Sequence, residues 1–264
     1  MPVAPRLVRL PARPYSEAVV FGDTHGDWRS TRRVVAQALD GPGDRMLIGL
    51  GDYVDRAPDD CGQGSVANAL YLLGLAGRYP ERVVLVKGNH ELHRLIGVLP
   101  HDLPEEVDTL WGPDDERYHR ILALLERGPF AAVSPSGVYF AHGGFPNPSS
   151  DGPWESLFEG SEADLALDVG WGECGASRAR RGVVPPFQEA DLVRFLQRSG
   201  TRLFLRGHDP DLAGRWVFGG RCLTLHTSRT YERYGGVLYA RVPLDRAVDS
   251  SKSVTVERLE PSDE

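Results

Sequence analysis

Residues 18–26 read AVVFGDTHG, an apolar run that ends in two polar side chains, Asp23 and His25. Such dense Val, Ala and Phe is typical of a strand that is covered on both faces. The same arrangement recurs along the chain, where apolar runs lead into four more polar strings: GDYVDR (51–56), GNHE (88–91), AHGG (141–144) and RGH (206–208). Open α/β sheets bind ligands at the carboxyl ends of their strands, so we expect the five endings to meet in one pocket.

The polar side chains at these endings are oxygen and imidazole donors: Asp23, His25, Asp52, Asn89, His142 and His208. Mn, Fe and Zn accept carboxylate, amide and imidazole ligands of this kind. Asp52 is placed to bridge two ions, because it ends the strand between the other two predicted parallel strands. One such ending alone would be an ordinary turn. All five together, in order, predict a site for two divalent metals.

Other catalytic motifs do not match this chain. HELH (90–93) differs from the HExxH zinc helix because its second histidine comes one residue too early. The sequence has no Walker loop, no dinucleotide-binding glycine fingerprint and no Gly-x-Ser-x-Gly nucleophile turn. We expect His93, His101 and His119 to be structural or solvent-facing.

The size and charge of the chain limit the class of protein. Its 264 residues fit one large domain, and its net charge of −7 argues against a nucleic-acid or anionic-membrane surface. Cys61, Cys174 and Cys222 are widely spaced and fit free thiols in a reducing compartment. Neither a signal-peptide pattern nor an apolar stretch of bilayer length is present. We therefore expect a cytoplasmic enzyme without nucleic-acid or membrane partners.

We predict three segments in the chain. Residues 1–14 carry four prolines and should lie extended over the body. Residues 15–248 form the domain, in which 92–130 is a helical cap insertion over one rim of the pocket. Residues 249–264 are rich in Ser, Glu and Asp and should form a flexible acidic tail. The irregular stretch 145–182 and the cap should set the choice of substrate.

Apolar periodicity predicts the elements of the domain. Strands and helices alternate in the first half, which favours a parallel layer. A hairpin at Gly219–Gly220 favours antiparallel pairing in the second half, so we expect two packed sheets. The predicted strands are 18–23, 45–51, 82–87, 137–142, 202–207 and 236–242, with the hairpin at 215–225. The predicted helices are 27–39, 65–77, 92–99, 117–125 and 188–198.

Together, the five strings resemble the hallmarks of the phosphoprotein phosphatase family of calcineurin-like metallophosphoesterases: GDxHG, GDxVDRG, GNHE, HGG and a later GH. The resemblance, closest to bacterial serine/threonine phosphatases, spans about residues 18–242. It implies an α/β fold of four layers, two packed mixed β-sheets flanked by helices, with a dinuclear metal centre at the loops. It assigns the ligands of one metal as Asp23, His25 and Asp52. It assigns the ligands of the other as Asp52, Asn89, His142 and His208.

The resemblance also implies roles in catalysis and substrate binding. Arg56 matches the family's phosphate-gripping arginine, and Asn89 would contact the substrate as well as the metal. His90 matches its catalytic acid, and Asp55 matches the carboxylate that orients this acid.

Two further matches to the family lie near the end of the chain. Arg181, in RRGVVPPF (180–187), matches a second phosphate arginine, although the neighbouring Arg180 fits the same position. Tyr231, in TLHTSRTY (224–231), matches a substrate-contacting tyrosine of the family's TLFSAPNY.

The chain departs from the family pattern at three positions near the site. Ala57 replaces the glycine that follows VDR, at the turn that carries Arg56. Asp27 stands where eukaryotic members have Gln, and we expect it to cap the following helix. His226 replaces the Phe of TLFSAPNY, and we do not expect it to bind metal.

The resemblance implies a metal-dependent phosphomonoester hydrolase, namely a protein serine/threonine phosphatase that acts on phosphorylated proteins or small phosphoesters. Two divalent ions, Mn²⁺ with Fe or Zn as alternatives, would bridge a hydroxide for in-line attack on phosphorus. One alternative is a diadenosine tetraphosphate or other nucleotide pyrophosphatase, since GNHELH (88–93) is similar to the GNHDLH of that group; Asp55 favours the phosphatase. The other is an inactive scaffold that binds phosphorylated partners. Nothing in the sequence distinguishes the physiological substrate, the native metal or the oligomeric state.

Overall fold

The computed structural model describes residues 5–41, 43–147, 152–178 and 181–260. Their β-strands are β1 (Leu7–Arg9), β2 (Glu17–Phe21), β3 (Arg45–Gly49), β4 (Val83–Leu85), β5 (Ala131–Val133), β6 (Val138–Ala141), β7 (Leu203–Arg206), β8 (Trp216–Val217), β9 (Cys222–Thr224), β10 (Leu238–Pro243) and β11 (Thr255–Arg258). Their α-helices are α1 (Trp28–Leu39), α2 (Gly64–Arg78), α3 (Leu103–Trp111), α4 (Arg117–Leu125), α5 (Glu162–Leu165) and α6 (Glu189–Ser199). Apart from the helix at 92–99, each predicted strand and helix outside the hairpin is present within two residues of its predicted bounds.

The strands form two mixed sheets. The first sheet has the order β11-β10-β2-β3-β4, and the second has the order β1-β5-β6-β7-β9-β8. Each contains three adjacent parallel strands, β2, β3 and β4 in the first and β6, β7 and β9 in the second. The second half is thus less antiparallel than expected, because α6 returns the chain from β6 to a parallel β7. Each parallel set brings three loops to one edge of its sheet.

The two sheets pack face to face, and helices cover their outer faces. Val20 of β2 and Phe140 of β6 belong to the core that the sheets share. Their neighbours Val19 and Tyr139 point the other way, since side chains alternate along a strand. Val19 packs in the core beneath α1 and α2, and Tyr139 packs in the core beneath α6. This arrangement is the predicted four-layer α/β fold.

The predicted helix at 92–99 is wrong. These residues form turns, with Leu92 and Val98 buried but Leu95 44% and Leu99 85% exposed. The apolar residues therefore share no single buried face. Gly97 and the proline after Leu99 also disfavour helix. The described helices of the 92–130 segment are α3 and α4.

The acidic tail was also predicted incorrectly in part. Thr255–Arg258 forms β11, which pairs antiparallel with β10, and Val254 is buried in the shared core. The sequence SVTVER alternates apolar and polar residues, as a half-buried strand requires, and this pattern outweighs the polar composition. At the other end of the chain, Leu7–Arg9 forms β1 beside β5. Among the described residues, none of the helices combines the length and the apolar character needed to cross a membrane.

Candidate metal centre

The predicted ligands lie at the edge where both parallel sets of strands end. Asp23, Asp52 and Asn89 follow β2, β3 and β4, whereas His142 and His208 follow β6 and β7. A direct contact joins the two sheets here, because the backbone N–H of His208 lies 3.1 and 3.2 Å from the two carboxylate oxygens of Asp23. The loops of both sheets therefore meet, as the strand-end pattern predicted.

The close approach of these loops depends on two glycines. A Cβ atom on Gly88 would lie 2.2 Å from Oδ1 of Asp52, and one on Gly207 would lie 2.0 Å from Oδ1 of Asp23. Either contact is far inside van der Waals distance. Only glycine allows these carboxylates to reach the neighbouring loop.

Backbone strain is concentrated at the same place. His25, Asp52, Asp55, Arg56 and His208 have φ angles between 44° and 74°. Non-glycine residues rarely adopt this left-handed region, and each such residue costs about 1–3 kcal/mol. Five predicted site residues therefore hold conformations that surrounding contacts must stabilise.

Glu91 supplies part of that stabilisation. Its fully buried carboxylate accepts hydrogen bonds from the backbone N–H groups of Asp52 (2.7 Å), Tyr53 (2.8 Å) and Gly88 (2.8 Å). It thereby joins the loops after β3 and β4. Sequence reasoning missed this role, although Glu91 is the last letter of GNHE.

The tightest cluster of donors surrounds Nε2 of His142. Nδ1 of this ring lies 2.9 Å from the carbonyl oxygen of Leu50, which can only accept, so Nδ1 carries the hydrogen. Nε2 lies 3.0 Å from Oδ1 of Asn89, 3.2 Å from Nδ1 of His208 and 3.3 Å from Oδ2 of Asp52. Oδ1 of Asn89 is also 3.0 Å from Nδ1 of His208. Donor atoms that share one ion at about 2.0–2.2 Å lie at such separations, so the set fits a divalent cation.

The second group is looser and shares Asp52 with the first. Nε2 of His25 lies 3.7 Å from Oδ2 of Asp52 and 3.9 Å from Oδ2 of Asp23. Nδ1 of His25 is 3.0 Å from the carbonyl oxygen of Val54, so the lone pair on Nε2 faces the two carboxylates. Burial lowers the pKa of His25 to about 3, which keeps this imidazole neutral and able to bind metal.

The charges of the cluster also fit a cation. Burial raises the pKa of Asp23 to about 7, and the nearby carboxylate of Asp52 adds to this rise against the effect of His142. Burial disfavours a charged His142, but Asp52 and Asp23 outweigh it and raise the pKa of His142 to about 9. Protons therefore balance the buried negative charge. Divalent cations would take over that role and displace them.

His90 and Asp55 form a buried pair beside the donors. Nδ1 of His90 lies 2.5 Å from Oδ2 of Asp55, and its Nε2 lies 4.0 Å from Oδ2 of Asp52. Burial opposes protonation, but Asp52 and Asp55 outweigh it and raise the pKa of His90. Asp55 also accepts backbone hydrogen bonds at the start of α3, one of them from Asp102 at 2.8 Å.

His101 contacts this pair, which sequence reasoning did not foresee. Its Nδ1 lies 3.0 Å from Oδ2 of Asp55, and its Nε2 lies 3.0 Å from the hydroxyl of Tyr118. The ring stacks on His93 with 3.7 Å between centroids. His119, by contrast, is exposed, as predicted. No local motif predicts the contact of His101 with Asp55, because the position of His101 depends on where α3 begins.

A cavity of about 410 Å³ opens above the donors. Its lining residues are Asp23, His25, Asp52, Arg56, Asn89, Leu99, Trp171, Arg181, Val183, His208, Pro210 and Tyr231. His142, His90 and Asp55 are not among these lining residues and are fully or almost fully buried.

Two arginines reach the cavity from the loops of different sheets. Arg56 donates to the hydroxyl of Tyr231 at 2.9 Å and to the carbonyl oxygen of Leu99 at 3.0 Å. Arg181 donates to Oδ1 of Asp209 at 2.9 Å and to the carbonyl oxygen of His208 at 2.7 Å. Arg180, the other candidate for the second arginine position, lies outside the described residues.

Asp209, which binds Arg181 through Oδ1, is itself held by a second and fully buried arginine, Arg206. Nη1 of Arg206 contacts Oδ2 of Asp209 at 2.5 Å. The same guanidinium donates to the carbonyl oxygens of Gly143 (2.7 Å) and Gly172 (2.9 Å). Sequence reasoning missed Asp209, although it directly follows RGH.

A further ion pair holds the loop of Tyr231. Arg229 places Nε 3.0 Å from Oδ2 and Nη2 3.0 Å from Oδ1 of the fully buried Asp27. The adjacent Thr230 donates to the carbonyl oxygen of Arg56 at 3.0 Å. Asp27 also caps α1 through the backbone N–H of Ser30, as predicted. The ion pair was not foreseen, because its partners are 202 residues apart.

Comparison with known proteins gives one family match and several relatives. A calcineurin-like phosphoesterase family model matches residues 18–212. A probable serine/threonine-protein phosphatase of Encephalitozoon cuniculi is 31% identical over 228 residues, which are 82% of this chain and 48% of that protein. The chain thus spans about half the length of this relative.

Solved structures share the fold. A protein serine/threonine phosphatase from Saccharomyces cerevisiae matches with a TM-score of 0.73 at 21% identity, over 98% of this chain and 86% of that one. A cold-active protein-tyrosine phosphatase of a psychrophilic Shewanella species matches with a TM-score of 0.59 at 16% identity, over 98% and 83%. Because both identities are low, these two matches establish the fold alone.

Proposed function

This chain belongs to the calcineurin-like phosphoesterase family, and on that premise we propose that it is a metal-dependent protein serine/threonine phosphatase. One observation carries the proposal: the His90–Asp55 pair lies beside the shared ligand Asp52. A proton donor next to a dinuclear site suits hydrolysis of phosphomonoesters whose leaving group is a poor one, such as the alkoxide of serine. The name of the Encephalitozoon relative supports the same substrate class.

The donors divide into two sites that share Asp52. We assign one ion to Asp23, His25 and Asp52. We assign the other to Asp52, Asn89, His142 and His208. Mn²⁺ suits this set of oxygen and imidazole donors, and Fe or Zn would also suit it. When bound, the two ions lower the pKa of water and withdraw electron density from the phosphoryl oxygens.

Arg56 and Arg181 bind the phosphoryl group in this proposal. Each guanidinium offers a planar pair of N–H donors that match two non-bridging oxygens. Tyr231 lies next to Arg56 and lines the same cavity, so its hydroxyl would contact the substrate. The Asn89 amide lines the cavity as well and would add a further polar contact.

His90 acts as the general acid. As water adds to phosphorus, the bond to the leaving oxygen breaks, and Nε2 of His90 gives its proton to that oxygen. Asp55 accepts a hydrogen bond from Nδ1 of His90 and raises the pKa of the ring, which favours the protonated form that the proposed proton transfer from Nε2 requires. Transfer in this direction avoids the release of an alkoxide.

A substrate panel tests the proposal. The chain is incubated with Mn²⁺ and with phosphoserine, phosphothreonine and phosphotyrosine peptides, diadenosine tetraphosphate and an aryl phosphate. We expect the phosphoserine and phosphothreonine peptides to be hydrolysed fastest among the biological substrates. Preference for diadenosine tetraphosphate would instead identify a nucleotide pyrophosphatase. Metal binding without hydrolysis of any substrate would identify a phospho-binding scaffold.

A further inference from the structure

His226 is buried beside the proposed metal centre, and its ring has no hydrogen-bond partner among the described residues. It is 1% exposed, and among the described residues neither of its ring nitrogens makes a hydrogen bond. Buried polar groups in folded proteins almost always have a partner, because leaving one without costs its full desolvation energy. An imidazole with two unpartnered nitrogens is therefore an unusual core residue.

The backbone holds His226 directly alongside Asp23. The two residues form an isolated parallel bridge, and the next backbone N–H, of Thr227, donates to the carbonyl oxygen of Asp23 at 2.8 Å. On the other side, Leu238 donates to the carbonyl oxygen of His226 at 2.8 Å. Pairing with two neighbouring segments therefore determines where the ring lies.

The ring approaches the oxygen of Asp23 that already faces a predicted ligand. Oδ2 of Asp23 lies 3.9 Å from Nε2 of His25 and only 3.5 Å from Nδ1 of His226. Ligands about 2.0–2.2 Å from one ion are separated by roughly 3.0–3.5 Å at tetrahedral or octahedral angles. Nδ1 of His226 is therefore at least as close to Oδ2 of Asp23 as Nε2 of His25 is, and it is as well placed to share an ion with this carboxylate.

Packing alone does not explain the imidazole. The ring meets Tyr231 with 5.2 Å between centroids, an aromatic contact that phenylalanine would make equally well. Phenylalanine is also the residue of the TLFSAPNY pattern, and it would bury no unpartnered nitrogen. A function for the nitrogen accounts for the difference.

We propose that His226 is an additional nitrogen ligand of the ion assigned to Asp23, His25 and Asp52. The inference depends on the proposed metal centre and replaces the expectation that His226 does not bind metal. A second imidazole would make this site richer in nitrogen than the three-ligand set. Nitrogen ligands favour Zn²⁺, Co²⁺ and Fe over Mg²⁺, so His226 would shift the metal preference in that direction.

Co²⁺ binding to the metal-free chain of residues 1–264 tests the inference. Calorimetry gives the number of ions and their affinities. Proton NMR of the Co²⁺ form counts the bound histidines. Each bound histidine whose ring N–H is protected from exchange with water gives one strongly shifted N–H signal. The variant His226→Phe removes the nitrogens and keeps the aromatic packing, and His119→Phe removes an exposed histidine as the matched control.

We expect two Co²⁺ ions in the unmodified chain and in His119→Phe. In His226→Phe, one of the two sites should weaken at least about tenfold, and one shifted N–H signal should disappear. If His226→Phe does not fold, His226→Ala serves instead, and millimolar imidazole should restore its lost affinity.

Three results would overturn the inference, and the third would also overturn the proposed function. Unchanged affinities and signals in His226→Phe would exclude His226 as a ligand. Weaker binding with an unchanged number of signals would make His226 a hydrogen-bond donor that orients Asp23. Failure of the unmodified chain to bind any Co²⁺ would contradict the proposed function itself. The first two results leave the proposed function standing, so the two kinds of failure can be told apart.

Discussion

The floor and the mouth of the cavity are built in different ways. The floor consists of the proposed metal ligands Asp23, His25, Asp52, Asn89, His142 and His208, all of them buried. The mouth consists of Arg56, Leu99, Arg181, Val183 and Tyr231, of which Leu99 is 85% exposed. Each floor residue lies within four positions of the end of a parallel strand. Strand pairing therefore places the floor, whereas contacts between loops place the mouth.

The difference predicts how each part responds to substitution. The strand before each proposed ligand is held by backbone pairing, so replacing the ligand side chain removes a metal contact while the strands stay paired. A mouth residue is held by one or two side-chain contacts, as Tyr231 is by Arg56. Substitution at the floor should therefore abolish metal-dependent chemistry. Substitution at the mouth should weaken substrate binding and leave metal binding unchanged.

The largest effect is expected from Asp52→Asn at the floor. The variant keeps the shape of the side chain but removes the charge that the two proposed ions would share. In the proposed mechanism these ions would supply several kcal/mol of transition-state stabilisation, so activity should fall on the order of 10³-fold or more. Metal analysis and aryl phosphate hydrolysis measure the two consequences together, and a chelator should reproduce the loss in the unmodified chain. Activity that survives without bound metal would contradict the assignment.

The next largest effect is expected from His90→Asn, which replaces the buried histidine beside the floor residue Asp52. Hydrolysis of a phosphoserine peptide should slow by roughly 10²–10⁴-fold, since the leaving alkoxide then lacks its proton donor. An activated aryl phosphate needs no such donor and should be nearly unaffected. Metal content should stay at the level of the unmodified chain. Equal losses on both substrates would argue against a general acid.

A smaller effect is expected from Arg181→Lys at the mouth. Lysine keeps the charge but loses the two-pronged contact with phosphate, so kcat/KM should fall by roughly 10–100-fold, mainly through KM. Co²⁺ affinity should not change. Arg180→Lys is the matched control one position earlier, and a loss there instead would move the role to Arg180. Arg202→Lys, at an exposed ion pair with Asp249, controls for general effects of the replacement.

The same comparison explains what the sequence could reveal. Asp23 and Asn89 each close an apolar run, and the general rule for parallel strands is enough to bring them together. No local sequence pattern predicts the contact of His101 with Asp55. It requires α3 to begin at Leu103, whereas the segment before it was predicted as a helix that does not form.

The loop contacts at the mouth could not be predicted from the sequence for a related reason. Arg181 lies in a segment that long-range contacts hold in place, among them its ion pair with Asp209 and the isolated bridge between Cys174 and Phe187. Resemblance to a family pattern pointed to Arg181, but its partner Asp209 was identified only in the folded chain. Periodicity describes elements that pack by their faces, and it says little about side chains that pair across long sequence separations.

The smallest effect is expected from Arg229→Met, which removes the ion pair beneath the mouth. Methionine keeps much of the length of the side chain but cannot bind Asp27, so the loop that carries Tyr231 should shift. We expect KM for a phosphopeptide to rise about tenfold or less, because small misplacements of a contact residue weaken substrate binding. Co²⁺ affinity should be preserved, since Arg229 contacts no proposed ligand.

The control Arg233→Met removes an exposed arginine from the same short helical segment. It should leave KM unchanged. Asp27→Asn should resemble Arg229→Met in KM but also weaken the cap of α1, and so lower the thermal stability further. If Arg229→Met instead lost metal, the floor would depend on the loop contacts of the mouth, and the separation between the two regions would fail.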